Sequence, residues 1–168
     1  SFMEDSKESG AQYGTSLHSV LQSIDFKNFS KEALISIVNN SCDESIRNSI
    51  LKKVEAFSNT ELFNDIKDAK TIKRETAFNL NLKAKEVFNI ESDDNVMIQG
   101  IIDLFYINKD DELVLVDYKT DNLDNKEELI KRYRIQLDLY KRALEEILGK
   151  KVNKTIIYSF KLNESIDL

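Results

Sequence analysis

GIID at residues 100–103 and LVLVDYKTD at residues 113–121 are the two stretches around which the predicted fold is built. Each is a short run rich in Val, Leu and Ile that carries an aspartate, and the polar linker NKDD at residues 108–111 separates them. The pattern predicts a β-hairpin with strands at about 96–107 and 112–119. An acidic side chain in an apolar strand is costly to bury alone, so the pattern indicates a partner such as a metal ion.

This hairpin would bring two carboxylates and an ammonium group together. Because strand side chains alternate, Lys119 shares the face of Asp117, while Tyr118 points the other way and leaves its carbonyl between them. Asp103 and Asp117 could chelate one or two Mg²⁺ or Mn²⁺ ions, and such ions serve phosphodiester hydrolysis. Lys119 could position the attacking water or counter the charge that develops. Asp-x-Lys is common by chance, and the Gly-x-x-Asp at hairpin distance is what gives it weight.

Composition limits the class of protein. The 168 residues are 41% hydrophobic and 32% charged, which is typical of one soluble globular domain with a sizeable core. No apolar run approaches the roughly 20 residues that cross a membrane. The single cysteine, Cys42, excludes a disulfide framework or an iron–sulfur cluster built by this chain alone, and we expect a cytoplasmic location. The net charge of −6 argues against a free-standing nucleic-acid binder but is compatible with an acidic cation site.

The remaining pattern predicts a flexible tail at 1–13 and one domain at 14–168, divided into a helical segment at 14–69 and a catalytic core at 70–168. The first helix is expected to begin at Gly14 with Thr15 or Ser16 as its N-cap, and Ser30 and Thr60 are expected to cap later helices. Gly100 predicts a bulge or a close backbone approach. The core is expected to contain a strand near 70–83, the hairpin, a helix at 125–148, a strand at 154–160 and a frayed end at 161–168.

Three further features leave alternatives open. His18 lies at the edge of the first helix's buried face, where a partly buried, hydrogen-bonded histidine is favoured over a metal ligand. Glu75 is either a surface residue or part of the same cleft as the aspartates. Gln136 and Tyr140 lie one turn apart on a locally basic helix that also carries Arg132, which is either a solvated face or the lining of a nucleic-acid groove.

Five motifs in order then carry a family resemblance. They are GTSLH (14–18), RETAF (74–78), QGIID (99–103), VDYKTD (116–121) and RYRIQLDLY (132–140). The chain resembles the RecB family of PD-(D/E)xK nucleases over about residues 13–160, and within it the nuclease domain of AddA subunits of bacterial AddAB helicase–nucleases. The resemblance implies an α/β, restriction-endonuclease-like core, with a central mixed sheet flanked by helices in the order αβββαβ, after an N-terminal helical segment.

The resemblance also implies three sets of site residues. The catalytic set is Asp103, Asp117, Lys119 and Glu75, the last as an acidic position near the metal. The metal set is His18, Asp103, Asp117 and the carbonyl of Tyr118. The set expected to contact DNA is Gln136 and Tyr140, as the QxxxY motif that could instead support the lysine, with Arg132 and Thr120.

The implied function is a Mg²⁺-dependent DNA exonuclease, with Mn²⁺ able to substitute, in a helicase–nuclease that processes double-strand breaks for recombinational repair. Its implied partners are DNA, either single-stranded or as duplex ends, a helicase domain and an AddB-like subunit, with no membrane. The lack of four cysteines favours the AddA type over relatives that hold an iron–sulfur cluster. Two alternatives stay open on this fold: a non-catalytic DNA-binding or scaffolding domain, and a structure-specific endonuclease.

Overall fold

A mixed sheet between two helical layers organises the chain. The computed structural model describes residues 2–168, with side chains from Gly10 onward. The described residues form six helices and five strands. They are α1 (Phe2–Ser23), α2 (Lys31–Ser41), α3 (Glu44–Ser58), α4 (Glu61–Lys67), β1 (Thr71–Lys83), α5 (Ala84–Phe88), β2 (Asn95–Ile107), β3 (Leu113–Lys119), α6 (Lys126–Leu148), β4 (Lys154–Ser159) and β5 (Glu164–Asp167).

The sheet has the strand order β1-β2-β3-β4-β5. Its first three strands are antiparallel neighbours, β3 and β4 are parallel, and β5 returns antiparallel to β4. The parallel pair needs a crossover, which α6 provides. The predicted α/β class, with a restriction-endonuclease-like mixed sheet and N-terminal helices, is confirmed.

Helices α1 and α6 cover opposite faces of the central strands. Leu104 of β2 packs in a buried cluster with residues of α1, α3 and α4, whereas its neighbour Phe105 packs in a second cluster with α6. Adjacent strand residues point to opposite faces, so the site between β2 and β3 can receive groups from both helices. None of the helices described here is long and apolar enough to span a membrane.

The first helix begins at Phe2, so the predicted start at Gly14, with Thr15 or Ser16 as the N-cap, is wrong. Gly14 lies inside the helix, where an added Cβ would come within 3.0 Å of Thr120 Oγ1. The glycine therefore marks a close approach rather than a helix end. The predicted division into a tail at 1–13 and a domain at 14–168 stays a prediction.

The predictions for two helix caps, for the C-terminal segment and for Gly100 differ in outcome. The caps at Ser30 and Thr60 are confirmed, since each side chain accepts a hydrogen bond from a first-turn backbone N–H. The frayed end expected at 161–168 is wrong, because β5 pairs with β4 and buries Ile166. At Gly100 the register continues without a bulge, and the close approach is the correct alternative: an added Cβ would lie 2.7 Å from the Phe78 ring.

The β1–β2 ribbon changes its buried side at one point. Leu104 faces the α1 cluster and Ile102 faces the α6 cluster, although both are even-numbered and regular alternation would put them on one face. Between them, the pair Glu75–Asp103 is missing from a ladder whose register is otherwise unchanged, and Glu75 has a φ of 47°. This local twist places both carboxylates at the boundary between the two layers.

Arg74 ties the end of α1 to β1 beside this twist. Its guanidinium donates to the backbone carbonyls of Gln22, at 3.3 Å, and Ile24, at 2.7 Å. Its charged end also lies 4.8 Å from the centroid of the Phe26 ring. A cation at a helix C-terminus is favourable, and these directional bonds fix how α1 sits against the strand that carries Glu75.

We expect Arg74→Met to lower the free energy of unfolding by about 1–3 kcal/mol, because two carbonyls lose their donor and the Phe26 ring loses its guanidinium partner. Denaturant titration measures the change. Lys73→Met, at an exposed neighbouring position, is the matched control and should leave stability nearly unaltered. Equal stability of the two variants would contradict this role of Arg74.

Candidate catalytic centre

The candidate centre lies where the ladder between β2 and β3 stops. The last pair is Leu104 with Val116. One step further, Tyr118 N donates a 2.9 Å hydrogen bond to Asp103 Oδ2 rather than to a backbone carbonyl. The carboxylate of Asp103 therefore sits in the gap between the two strands, anchored by a backbone donor.

The carbonyl of Tyr118 faces the same gap. Lys119 O accepts a 3.0 Å hydrogen bond from Phe160 N, on the β4 side of the strand. Backbone groups of successive strand residues point to opposite sides, so the N–H and the carbonyl of Tyr118 both point toward β2. The Tyr118 side chain is buried among aromatic rings on the α1 side of the sheet. This geometry suits the predicted carbonyl ligand, whose role stays a prediction.

His18, Glu75 and Asp103 come together from three different elements. His18 Nδ1 lies 3.5 Å from Asp103 Oδ1, and one ligand atom of each residue lies within 4.8 Å of the others. The hydrogen bond with Asp103 raises the pKa of His18, against the opposing effect of burial. Glu75, ambiguous in the sequence, thus belongs to the cleft, and an imidazole with two carboxylates is a donor set that can hold a divalent ion.

Asp117 is the most buried acid of the centre, with its side chain 7% exposed. Its Oδ2 lies 2.8 Å from Lys119 Nζ, yet this buried oxygen receives no well-directed hydrogen bond. Burial raises the pKa of Asp117 to about 6 even though Lys119 works in the opposite direction. A buried carboxylate in a place that disfavours its charge fits a cation ligand.

Lys119 is held by groups from two elements. Besides its contact with Asp117, its ammonium donates to Gln136 Oε1 at 3.3 Å and lies 3.9 Å from the centroid of the Tyr133 ring. Gln136 also donates to the Tyr140 hydroxyl at 3.4 Å. The row of α6 residues expected from helical spacing therefore reaches the lysine, while contact with DNA stays a prediction.

The other two expected DNA contacts lie at the margin of the centre. Thr120 lines an open cleft of about 560 Å³ that also exposes His18 and Glu75. Arg132 donates to Asp121 Oδ1 at 2.9 Å and keeps its side chain 54% exposed. Both roles in DNA binding stay predictions, and any contact of Arg132 with phosphate would compete with Asp121.

Sequence reasoning missed Tyr133 and Asp121. Tyr133 has the spacing of an apolar packing residue on this helix, but it touches Lys119 and its hydroxyl donates to Asp121 at 2.7 Å. Its position three residues before Gln136 was the available signal, since that spacing puts both side chains on one helical face.

Asp117→Asn should stabilise the protein in EDTA. Burial raises the pKa of Asp117 to about 6, so its carboxylate is ionised in the folded protein near pH 8. The same group ionises more easily in the unfolded chain, so the free energy of unfolding falls as the pH rises through 6. We expect a gain on the order of 1–3 kcal/mol near pH 8 that shrinks toward about pH 4. Thermal and denaturant unfolding measure it, with the exposed Asp124→Asn as control. An Asp117→Asn protein that is less stable than wild type near pH 8 would contradict the conclusion that burying the ionised carboxylate lowers stability.

Comparisons with known proteins find relatives that match nearly the whole chain. A family model described as the PD-(D/E)XK nuclease superfamily matches residues 3–165. The A subunit of the ATP-dependent helicase/nuclease of Clostridium novyi (strain NT) is 34% identical over an alignment that includes 99% of this chain. Its counterpart in Syntrophomonas wolfei is 39% identical over 94% of this chain. The chain spans 15% and 14% of the lengths of these two relatives.

Proposed function

The chain belongs to the PD-(D/E)XK nuclease superfamily, and we propose that it is a metal-dependent DNA exonuclease domain. It is related to the helicase/nuclease A subunits, of which it spans a small part. The observation that carries the proposal is the convergence of Asp103, Asp117 and Lys119 at the open end of the β2–β3 ladder, with His18 and Glu75 beside them.

The donor set fits a hard divalent cation. Asp103, Asp117 and the Tyr118 carbonyl would supply oxygen ligands for Mg²⁺, with Glu75 and His18 on the cleft side. Imidazole is a better ligand for Mn²⁺ than for Mg²⁺, so Mn²⁺ could substitute for Mg²⁺ at this site. When bound, the cation would neutralise charge on the phosphodiester and make a water molecule more acidic.

The chain's own groups prepare the rest of the chemistry. The ammonium of Lys119 can hold a water or a phosphate oxygen by its hydrogens, and its low exposure strengthens that interaction. Gln136 keeps the ammonium on the α6 side, and Asp103 is held by a backbone donor, so both groups are oriented before substrate arrives. We propose that Thr120, which lines the cleft, and Arg132, which is exposed, contact the DNA backbone.

The assembly and its role are part of the same proposal. The relatives are several times longer than this chain, and their name joins a helicase to a nuclease. We therefore propose that the partners of this chain are a helicase domain and an AddB-like subunit, in a cytoplasmic complex that processes double-strand breaks for recombinational repair. A net charge of −6 is consistent with DNA that a neighbouring domain delivers.

The activity test uses end-labelled linear single-stranded DNA with Mg²⁺. Wild-type protein should degrade it, and Asp117→Ala and Lys119→Ala should each slow degradation about 100-fold or more, because the first removes a proposed cation ligand and the second removes the ammonium that would hold the phosphate or its water. Lys161→Ala, which breaks a surface ion pair with Asp124, is the control and should keep the wild-type rate. A folded Asp117→Ala protein with wild-type activity would refute the mechanism.

The same assay separates the alternatives. Degradation of linear DNA with circular single-stranded DNA left intact supports an exonuclease. Cleavage of the circle favours a structure-specific endonuclease. Binding of DNA without turnover under any divalent cation favours a non-catalytic binding or scaffolding domain.

Metal binding is tested without substrate. Titration with Mn²⁺, followed by electron paramagnetic resonance, should show a site whose affinity falls at least about 10-fold in His18→Ala, which loses a donor atom, and in Glu75→Gln, which loses the negative charge of a ligand. Asp124→Asn is the charge-matched control. Unchanged affinity in both cleft variants would remove His18 and Glu75 from the metal set.

A further inference from the structure

We propose that Tyr133 and Asp121 are positioning residues for Lys119: the tyrosine ring receives the lysine ammonium, and the aspartate holds the ring in place. The effect of this positioning on the reaction rate rests on the proposed nuclease function. The placement of the lysine does not, and it can be measured in a protein without activity.

The contact between Lys119 and Tyr133 has the geometry of a cation–π interaction. The ammonium nitrogen lies 3.9 Å from the ring centroid, well inside the roughly 6 Å limit for such contacts. The lysine side chain is 15% exposed, and a partly dehydrated cation gains more from a ring face than an exposed one does. Asp117 and Gln136 contact the same nitrogen, so the ring completes a three-sided support.

A lysine needs such support because its ammonium is a point charge on a flexible four-carbon stem. The ion pair with Asp117 draws the nitrogen toward the sheet, and Gln136 lies at a long 3.3 Å. The ring face adds an attraction from the α6 side. The position of the nitrogen is then set between sheet and helix rather than by Asp117 alone.

Asp121 orients the ring. The Tyr133 hydroxyl donates a 2.7 Å hydrogen bond to Asp121 Oδ1, which also accepts from Arg132 Nη1 at 2.9 Å. Burial, with help from this hydrogen bond, raises the pKa of Tyr133 to about 12, so the phenol keeps the proton that it donates. The ring is thus attached at both ends, to the α6 backbone and to the segment that follows β3.

The position of Asp121 in the chain links the orientation of the Tyr133 ring to the placement of Lys119. It comes two residues after Lys119, so the same carboxylate ties the end of β3 to α6. Tyr133 also packs against an apolar cluster that includes Leu129, Leu137 and Ile157, and this packing alone would be satisfied by leucine. Leucine offers neither a negative ring face nor a hydroxyl, which allows packing and positioning to be separated.

The experiment compares Tyr133→Phe, Tyr133→Leu and Asp121→Ala. Tyr13→Phe is the control, since it loses only a hydroxyl contact with Ser49. Rates are measured on linear single-stranded DNA with Mg²⁺. We expect kcat to fall about 10-fold in Tyr133→Leu with KM within about twofold. It should fall about threefold in both Asp121→Ala and Tyr133→Phe, because both lose the hydrogen bond that orients the ring and both keep the ring face.

Nuclear magnetic resonance provides the readout that is independent of activity. A ring face 3.9 Å from the ammonium should shift the Lys119 ε-methylene protons upfield in the wild type and in Tyr133→Phe, and the shift should vanish in Tyr133→Leu. A wild-type Lys119 signal at the ordinary lysine position overturns the proposal without any variant. The proposal can therefore be tested even if the Tyr133→Leu protein fails to fold.

The remaining outcomes are also decisive. A folded Tyr133→Leu protein with wild-type kcat reduces Tyr133 to packing and overturns its positioning role. A lowered kcat with an unmoved Lys119 signal overturns it too, because the rate loss then has another cause. If no nuclease activity is found but the upfield shift is present and lost in Tyr133→Leu, the proposed function fails while the placement of Lys119 stands.

Discussion

The hydrogen bond from Tyr118 N to Asp103 Oδ2 is the contact on which the rest of the centre depends. It replaces a backbone–backbone bond at the point where β2 and β3 separate. Because a carboxylate satisfies the donor, the strands can part without leaving a buried N–H unpaired. The gap that results gives access to a backbone carbonyl and brings side chains from both helical layers to one place.

This arrangement works against stability at Asp117. Its environment raises its pKa even with an ammonium 2.8 Å away, so the folded protein retains a charge that it would hold more easily when unfolded. A core built only for stability would place an apolar residue there, as at the neighbouring Val116 and Leu115. Buried acids that their surroundings disfavour are typical of functional sites, and this cost is part of the support for a cation site.

The helices and strands could be predicted from the sequence better than the contacts where they meet. The hairpin carrying Asp103 and Asp117 and the α6 helix followed from apolar periodicity, which reports burial along one element at a time, whereas the mixed sheet was implied by the family resemblance. The change of buried side at Glu75 did not, because it depends on a positive φ in a residue type that gives no warning of one.

The roles of Tyr133 and β5 were hidden for a related reason. An aromatic residue in an apolar stripe has the same pattern whether it only packs or also presents its face to a cation. The strand β5 is short, and only its pairing with β4 buries Ile166. In both cases the information lies in a contact with another element, which no single-segment pattern contains.

Two glycines set how closely the helical layers approach the centre. A side chain at Gly14 would come within 3.0 Å of Thr120, next to Lys119, and one at Gly100 would collide with Phe78 and crowd Tyr140. The first glycine lets α1 carry His18 against the end of β3. The second lets the ring of Tyr140 lie on β2 near Asp103.

Neither glycine has a positive φ, so close approach rather than backbone freedom explains them. Phe78 and Tyr140 meet edge to face at 5.1 Å over Gly100, which leaves no room for a methyl group without moving one of the rings. Helix α6 also carries Gln136 and Tyr133, so the distance between α6 and β2 bears on the position of Lys119 as well. The absence of a side chain at two positions thus determines where several functional side chains meet.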